Sequence, residues 1–187
     1  MANFLIVYGT TEGQTAKIAK RIATLVEAQG HTARIWDGKQ LPDAALLEGC
    51  DAIIIGASVH YWTHPSYIQD FVKHHCEDLR RLPSAFFSVS GSAASPRAEE
   101  RAQAERLAAE FIRETHWQPN RVATFAGAIP YTHYGVLKRL LMKVIIKRAG
   151  GDTDTSRNFE YTDWDAVRRF ADDCLALIEQ PIGLESG

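Results

Sequence analysis

Apolar residues fall along this chain in two rhythms that take turns. Three short runs are apolar without alternation: Phe4 to Tyr8, "DAIIIGAS" from Asp51, and "PSAFFSVSGS" from Pro83. Continuous apolar runs of this length, rich in β-branched and aromatic residues, mark strands buried on both faces. "HTARIW" from His31 and "RVATFAGAI" from Arg121 add a second and a fifth strand in chain order. Between them the spacing becomes helical. Ile18, Ile22, Leu25 and Val26 share one face of a helix between Gly13 and Gln29, and Gly30 supplies the stop.

Pro65 opens a second helix with Ile68, Phe71 and Val72 on one side. Ser95, Pro96 and the acids Glu99 and Glu100 read as cap, first turn and dipole partners of a third helix, running to about His116. "YTDWDAVRRFADDCLALIE" closes the chain as an amphipathic helix capped by Thr162 or Asp163. Strands alternating with helices predict an α/β fold, a parallel sheet covered on both faces in three layers. The 187 residues are expected to form one domain, with no internal repeat and no linker.

Composition narrows the class. The formal net charge of −2 gives no general field for nucleic acid, so an anionic partner needs a local cluster. Cys50, Cys76 and Cys174 are scattered and odd in number, which suits buried thiols in a reducing cytoplasm. "MANFLIVYG" has no basic leader region, and no stretch approaches the ~20 apolar residues of a spanning helix.

The chemistry starts at "YGTTEGQT", Tyr8 to Thr15, between the first strand and the first helix. Ligands of open α/β sheets bind beyond the carboxyl ends of strands, and free N–H groups at a helix start attract anions. Thr10, Thr11 and Thr15 add hydroxyls, with Glu12 and Gln14 beside them, and Gly13 permits close approach or positive φ. No lysine follows the glycine as a Walker A loop requires, and G-x-G-x-x-G is absent. Two readings remain, one terminal phosphate held by neutral donors and a polar turn that merely caps a helix.

Other candidates carry less. His60 and His64, and the adjacent His74 and His75, lack the carboxylate or thiol partners of a zinc site, so no metal is expected. Asp152 and Asp154 lack the glutamate of a calcium loop. Ser58, Ser88 and Ser90 lack a nucleophile elbow. A detour from about 130 to 157 contains "YTHYGVLKRLLMKVIIKR", residues 131–148, with five Lys or Arg and no acid. Such a segment reads either as a surface for anionic membrane or partner, or as a helix packed on the sheet.

"TTEGQT" resembles the loop with which flavodoxins hold the phosphate of flavin mononucleotide (FMN). That resemblance implies two ring-contacting loops. One is Ser58, Val59, His60, Tyr61 and Trp62, with Tyr61 and Trp62 stacking on the ring and the backbone of Ser58 to His60 at its N5 edge. The other is Ser88, Val89, Ser90 and Gly91. It also implies strand order 2-1-3-4-5, with the basic insertion near the fifth strand.

Over nearly its full length the chain is similar to the bacterial flavodoxin-like, menaquinone-dependent protoporphyrinogen oxidase family. The matching pieces are "TTEGQT", "IGASVHY", "PSAFFSV", "AGAIPY", the basic detour, "GGDTDT" and "YTDW". The resemblance implies oxidation of protoporphyrinogen IX in haem synthesis, with electrons passed to menaquinone or ubiquinone at the cytoplasmic face of the inner membrane. Tyr131, Tyr134, Lys138, Arg139 and Lys143 would then meet the macrocycle, its propionates or lipid headgroups. Two other classes stay open, a flavodoxin-like electron carrier and an NAD(P)H:quinone reductase, as does a homo-oligomer.

Overall fold

The computed structural model describes residues 1–42, 46–129 and 159–179. Five strands make one parallel sheet: β1 (Asn3–Gly9), β2 (Thr32–Asp37), β3 (Ala52–Ser58), β4 (Ser84–Ser90) and β5 (Arg121–Ala126). Their order is β2-β1-β3-β4-β5, as expected. Every residue of β3 and β4 is buried, whereas the edge strand β2 alternates between exposed and half-buried. That difference is why the central strands read as unbroken apolar runs.

The pleat sends alternate residues to two cores. Phe4, Ile6, Ile54 and Phe87 meet α1 (Gln14–Ala28) and the final helix on one face. Leu5, Val7, Ile53, Ile55 and Phe86 meet α2 (Ser66–His74) and the longer helix preceding β5 on the other. A short α3 (Cys76–Leu79) precedes β4. α4 (Ala98–Thr115) follows a single 3-10 turn at Ser92–Ala94, and α5 (Trp164–Glu179) covers the first face.

Three local expectations are corrected. α4 starts at Ala98, not behind Ser95: Ser95 Oγ accepts the Arg97 N–H at 3.1 Å, and Arg101 donates to the Ser95 and Pro96 carbonyls, so that stretch closes as a turn. The fifth strand ends at Ala126. Beyond Gly127 the chain leaves the sheet, and β6 (Ala128–Ile129) pairs antiparallel with β7 (Phe159–Glu160). Of the cysteines, Cys50 and Cys174 are buried as expected, while Cys76 is only half-buried. Asp163, rather than Thr162, caps α5, accepting the N–H groups of Asp165 and Ala166 at 3.0 Å each.

Candidate functional site

The switch in strand order lies between β1 and β3, whose following helices α1 and α2 pack on opposite faces. Loops diverging there leave a crevice at the carboxyl edge of the sheet. In this chain the crevice is a cleft walled by all three predicted loops. Thr10, Thr11, Glu12, Gln14 and Thr15 come from the first, Ser58, Val59 and His60 from the second, and Val89, Ser90 and Gly91 from the third. Gly127 and Ala128 add a fourth wall that the sequence reading missed, although "AGAIPY" was among its matching pieces.

Gly13 stands at the start of α1 with φ +87°, and a Cβ there would meet nothing within 4 Å, so its requirement is conformational rather than spatial. The Gly13 N–H donates to Thr10 Oγ1 at 2.9 Å. Thr10 therefore shapes the loop as an acceptor while its own hydroxyl proton is left to donate. Thr11 Oγ1 and Ser58 Oγ lie 3.3 Å apart, joining the first two loops. Val59 N–H donates to Val89 O at 2.7 Å, joining the second and third. Gly127 N–H donates to Ser90 O at 3.0 Å, joining the third and fourth.

One group in this cleft is conspicuously unpaired. Thr15 is 1 % exposed, and its Oγ1 has no hydrogen-bond partner. A buried hydroxyl without a partner costs free energy unless a ligand supplies one. Among the described residues no lysine or arginine lines the cleft. An orphan hydroxyl beside a glycine-opened helix start, with neutral donors throughout, fits the phosphate of FMN.

The remaining predicted residues are placed differently. Ser88 is buried on the α4 side, where its Oγ and His64 Nε2 share a hydrogen bond of 2.9 Å, so it does not line the cleft. His64 packs edge-on to Phe86 and Phe111, and burial lowers its pKa to about 4. It is a core histidine. Tyr61 and Trp62 both have positive φ, 48° and 64°, in a tight turn closed by two hydrogen bonds between His60 and Thr63. They stand 83 % and 64 % exposed beside the cleft, Trp62 over α4 and Tyr61 over a second hollow. The N–H groups of Val59 and His60 are both spent within the protein, on Val89 and Thr63, so neither is left for a ring edge. Tyr131, Tyr134, Lys138, Arg139 and Lys143, like Asp152 and Asp154, lie outside the described residues.

A polar latch ties the cleft to the return of the insertion. Gln14 Nε2 donates to Thr162 Oγ1 at 2.8 Å and to Glu160 Oε1 at 3.3 Å. Thr162 Oγ1 in turn donates to Ala126 O at 2.7 Å, and Lys17 Nζ meets Glu160 Oε2 at 2.5 Å. Burial alone would raise the Glu160 pKa, but hydrogen bonds from Lys17 and Gln14 bring it below the usual carboxylate range.

Crevice, loops and donor set suit a phosphate-bearing ligand at the carboxyl edge of a doubly wound sheet. The flavodoxin domain family matches residues 5–156, and the chain belongs to it. Within that family it groups with proteins named protoporphyrinogen IX dehydrogenase [quinone]. The protein of that name from Escherichia coli (strain K12) is 36% identical over 178 residues, covering 95% of this chain and 97% of the relative. The one from Leishmania major is 34% identical over 177 residues, covering 92% of this chain and 74% of the relative. The structure of oxidised Flavodoxin 1 from Bacillus cereus superposes with a TM-score of 0.57 at 15% identity, over 96% of this chain and 99% of that one. At that identity the likeness speaks to the fold.

Proposed function

We propose that this chain oxidises protoporphyrinogen IX to protoporphyrin IX, using FMN, and passes the electrons to a quinone. The observation that carries the reading is the 36% identity to a protoporphyrinogen IX dehydrogenase [quinone] across 95% of the chain. The cleft supports it independently, because it offers a phosphate seat.

FMN, when bound, would supply the redox chemistry, two electrons at a time. The chain's own residues bind and orient. Thr15 Oγ1 and the free N–H groups at the start of α1 would hold the phosphate. The Val59–Val89 hydrogen bond fixes the spacing of the two loops that flank the ring. His60 and Gly91, which line the cleft, would face the ring, and Tyr61, packed edge-on to His60 at 4.2 Å, would stand at its outer margin. Among the described residues no helix is long and apolar enough to cross a membrane. The five basic residues of 131–148 are proposed to meet anionic lipid at the cytoplasmic face of the inner membrane, where a quinone is reached.

Steady-state turnover tests the reading. FMN-loaded protein given protoporphyrinogen IX and a menaquinone analogue should produce porphyrin fluorescence at a rate that depends on quinone concentration. Flavin reduction by NADPH with no porphyrin formed would instead assign the chain to the quinone reductases.

A further inference from the structure

A second hollow opens on the far side of Thr10, Thr11 and His60, which it shares with the flavin cleft. Its walls carry the hydroxyls of Thr63, Ser66 and Tyr67, the Gln69 amide, the exposed ring of Tyr61 and the Lys39 amine. Among the described residues no carboxylate lines it. The nearest acid by its electrostatic effect on Tyr67 is Asp37, whose Oδ1 already accepts the Lys39 backbone N–H at 3.0 Å.

The floor of this hollow is built rather than incidental. The Tyr67 side chain lies in a slot made by two glycines. A Cβ on Gly38 would come within 3.2 Å of its ring, and one on Gly9 within 3.2 Å of its hydroxyl, besides colliding with Ile68. The Thr10 amide faces the phenol oxygen, yet no hydrogen bond closes and the buried hydroxyl has no partner. Lys39 Nζ sits 5.5 Å from the centre of the same ring. It makes no ion pair among the described residues. Thr63 Oγ1 and Gln69 Nε2 already donate to the His64 carbonyl, at 3.3 and 3.2 Å, so the Ser66 hydroxyl and the second amide hydrogen of Gln69 are the donors left beside them. A cation seated on an aromatic face beside these donors recognises an anionic oxygen group.

We infer that this hollow is a substrate subsite: it seats a carboxylate of the porphyrinogen against Lys39 while the macrocycle rests on Tyr61 toward the flavin cleft. The inference rests on the oxidase reading. Carboxylate and lipid phosphate share the chemistry that the hollow recognises, and its sharing of Thr10, Thr11 and His60 with the flavin cleft favours the substrate.

The test titrates FMN-loaded protein with protoporphyrin IX and with its uncharged dimethyl ester, following porphyrin fluorescence, in wild type, Lys39→Gln and Lys39→Arg. Lys39→Gln should weaken binding of the diacid about three- to tenfold, leave the ester unaffected, and be rescued by Lys39→Arg. Equal effects on diacid and ester, or none on either, would overturn the subsite. So would loss of binding to phosphatidylglycerol vesicles with unchanged porphyrin affinity, which would assign Lys39 to lipid. Charge-selective binding without porphyrinogen turnover in wild type would keep the subsite and discard the oxidase reading. Turnover without charge selectivity at Lys39 would do the reverse.

Discussion

Thr15 and His64 show two different fates of a buried polar side chain, one in the cleft and one in the core. Thr15 keeps a buried hydroxyl with no partner, so the free protein bears a cost that a bound phosphate would remove. Thr15→Val should therefore leave the apoprotein as stable as before or more so by urea unfolding. The same variant should weaken FMN binding about ten- to hundredfold by fluorescence titration, the loss of one hydrogen bond to a charged group. Unchanged FMN affinity would remove Thr15 from the phosphate site. His64 shares a hydrogen bond with Ser88 through Nε2 and packs against two aromatic rings, and its burial lowers its pKa from 6.5 to about 4. Below pH ~6.5 an unfolded histidine takes up a proton that the folded one refuses until pH ~4. The unfolded chain thus binds more protons across that window, and stability falls as pH falls through it. The contribution is complete above the unfolded value and gone at about pH 4, amounting to about 3 kcal/mol. Urea midpoints measured from pH 7.5 to 4 should show this slope in wild type and a shallower one in His64→Phe.

Two elements carry strain or coupling that a reading of their own residues would not disclose. A two-residue turn with positive φ at both centres ordinarily takes Asn-Gly, yet here it holds Tyr61 and Trp62. Bulky residues in that region cost on the order of 1 kcal/mol each, and such strain gathers at binding sites. The antiparallel pair β6–β7 is the second case. Its strands are 2 residues each, too short to stand alone, and Gln14, Lys17 and Thr162 fasten them to the start of α1. The residue after the glycine of the phosphate loop therefore spends its amide on the stem of the insertion. Thr162→Val would break its bonds to Gln14 and to the Ala126 carbonyl at one stroke. It should lower apoprotein stability by about 1–3 kcal/mol and weaken FMN binding as well, in contrast to Thr15→Val. Parallel urea and FMN titrations distinguish the two variants, and a Thr162→Val protein with normal FMN affinity would show the latch to be purely structural.

At the scale of the whole molecule, the sheet was legible because β1, β3 and β4 are covered on both faces and so carry unbroken apolar runs. The phosphate loop was legible because its glycine, hydroxyls and missing lysine are local chemistry. What the sequence hid is what folding brings together from afar. Gln14 meets residues 146 and 148 positions away, and Gly127 reaches the cleft only because β5 stops one residue earlier. Ser88 looked like a cleft residue by its place at the end of a strand, but the pleat turns it to the opposite face and to His64. Lys39 gave no signal either, since two glycines distant in sequence, Gly9 and Gly38, make the slot that brings Tyr67 beneath it. The central claim is that this fold and cleft use FMN to oxidise a porphyrinogen and then reduce a quinone. The most direct measurement is anaerobic mixing of FMN-loaded protein with protoporphyrinogen IX, with the flavin absorbance followed before and after adding a menaquinone analogue. The account predicts bleaching on mixing, then return of the yellow flavin with formation of porphyrin when quinone is added. A flavin that stays oxidised in the presence of excess porphyrinogen would contradict it.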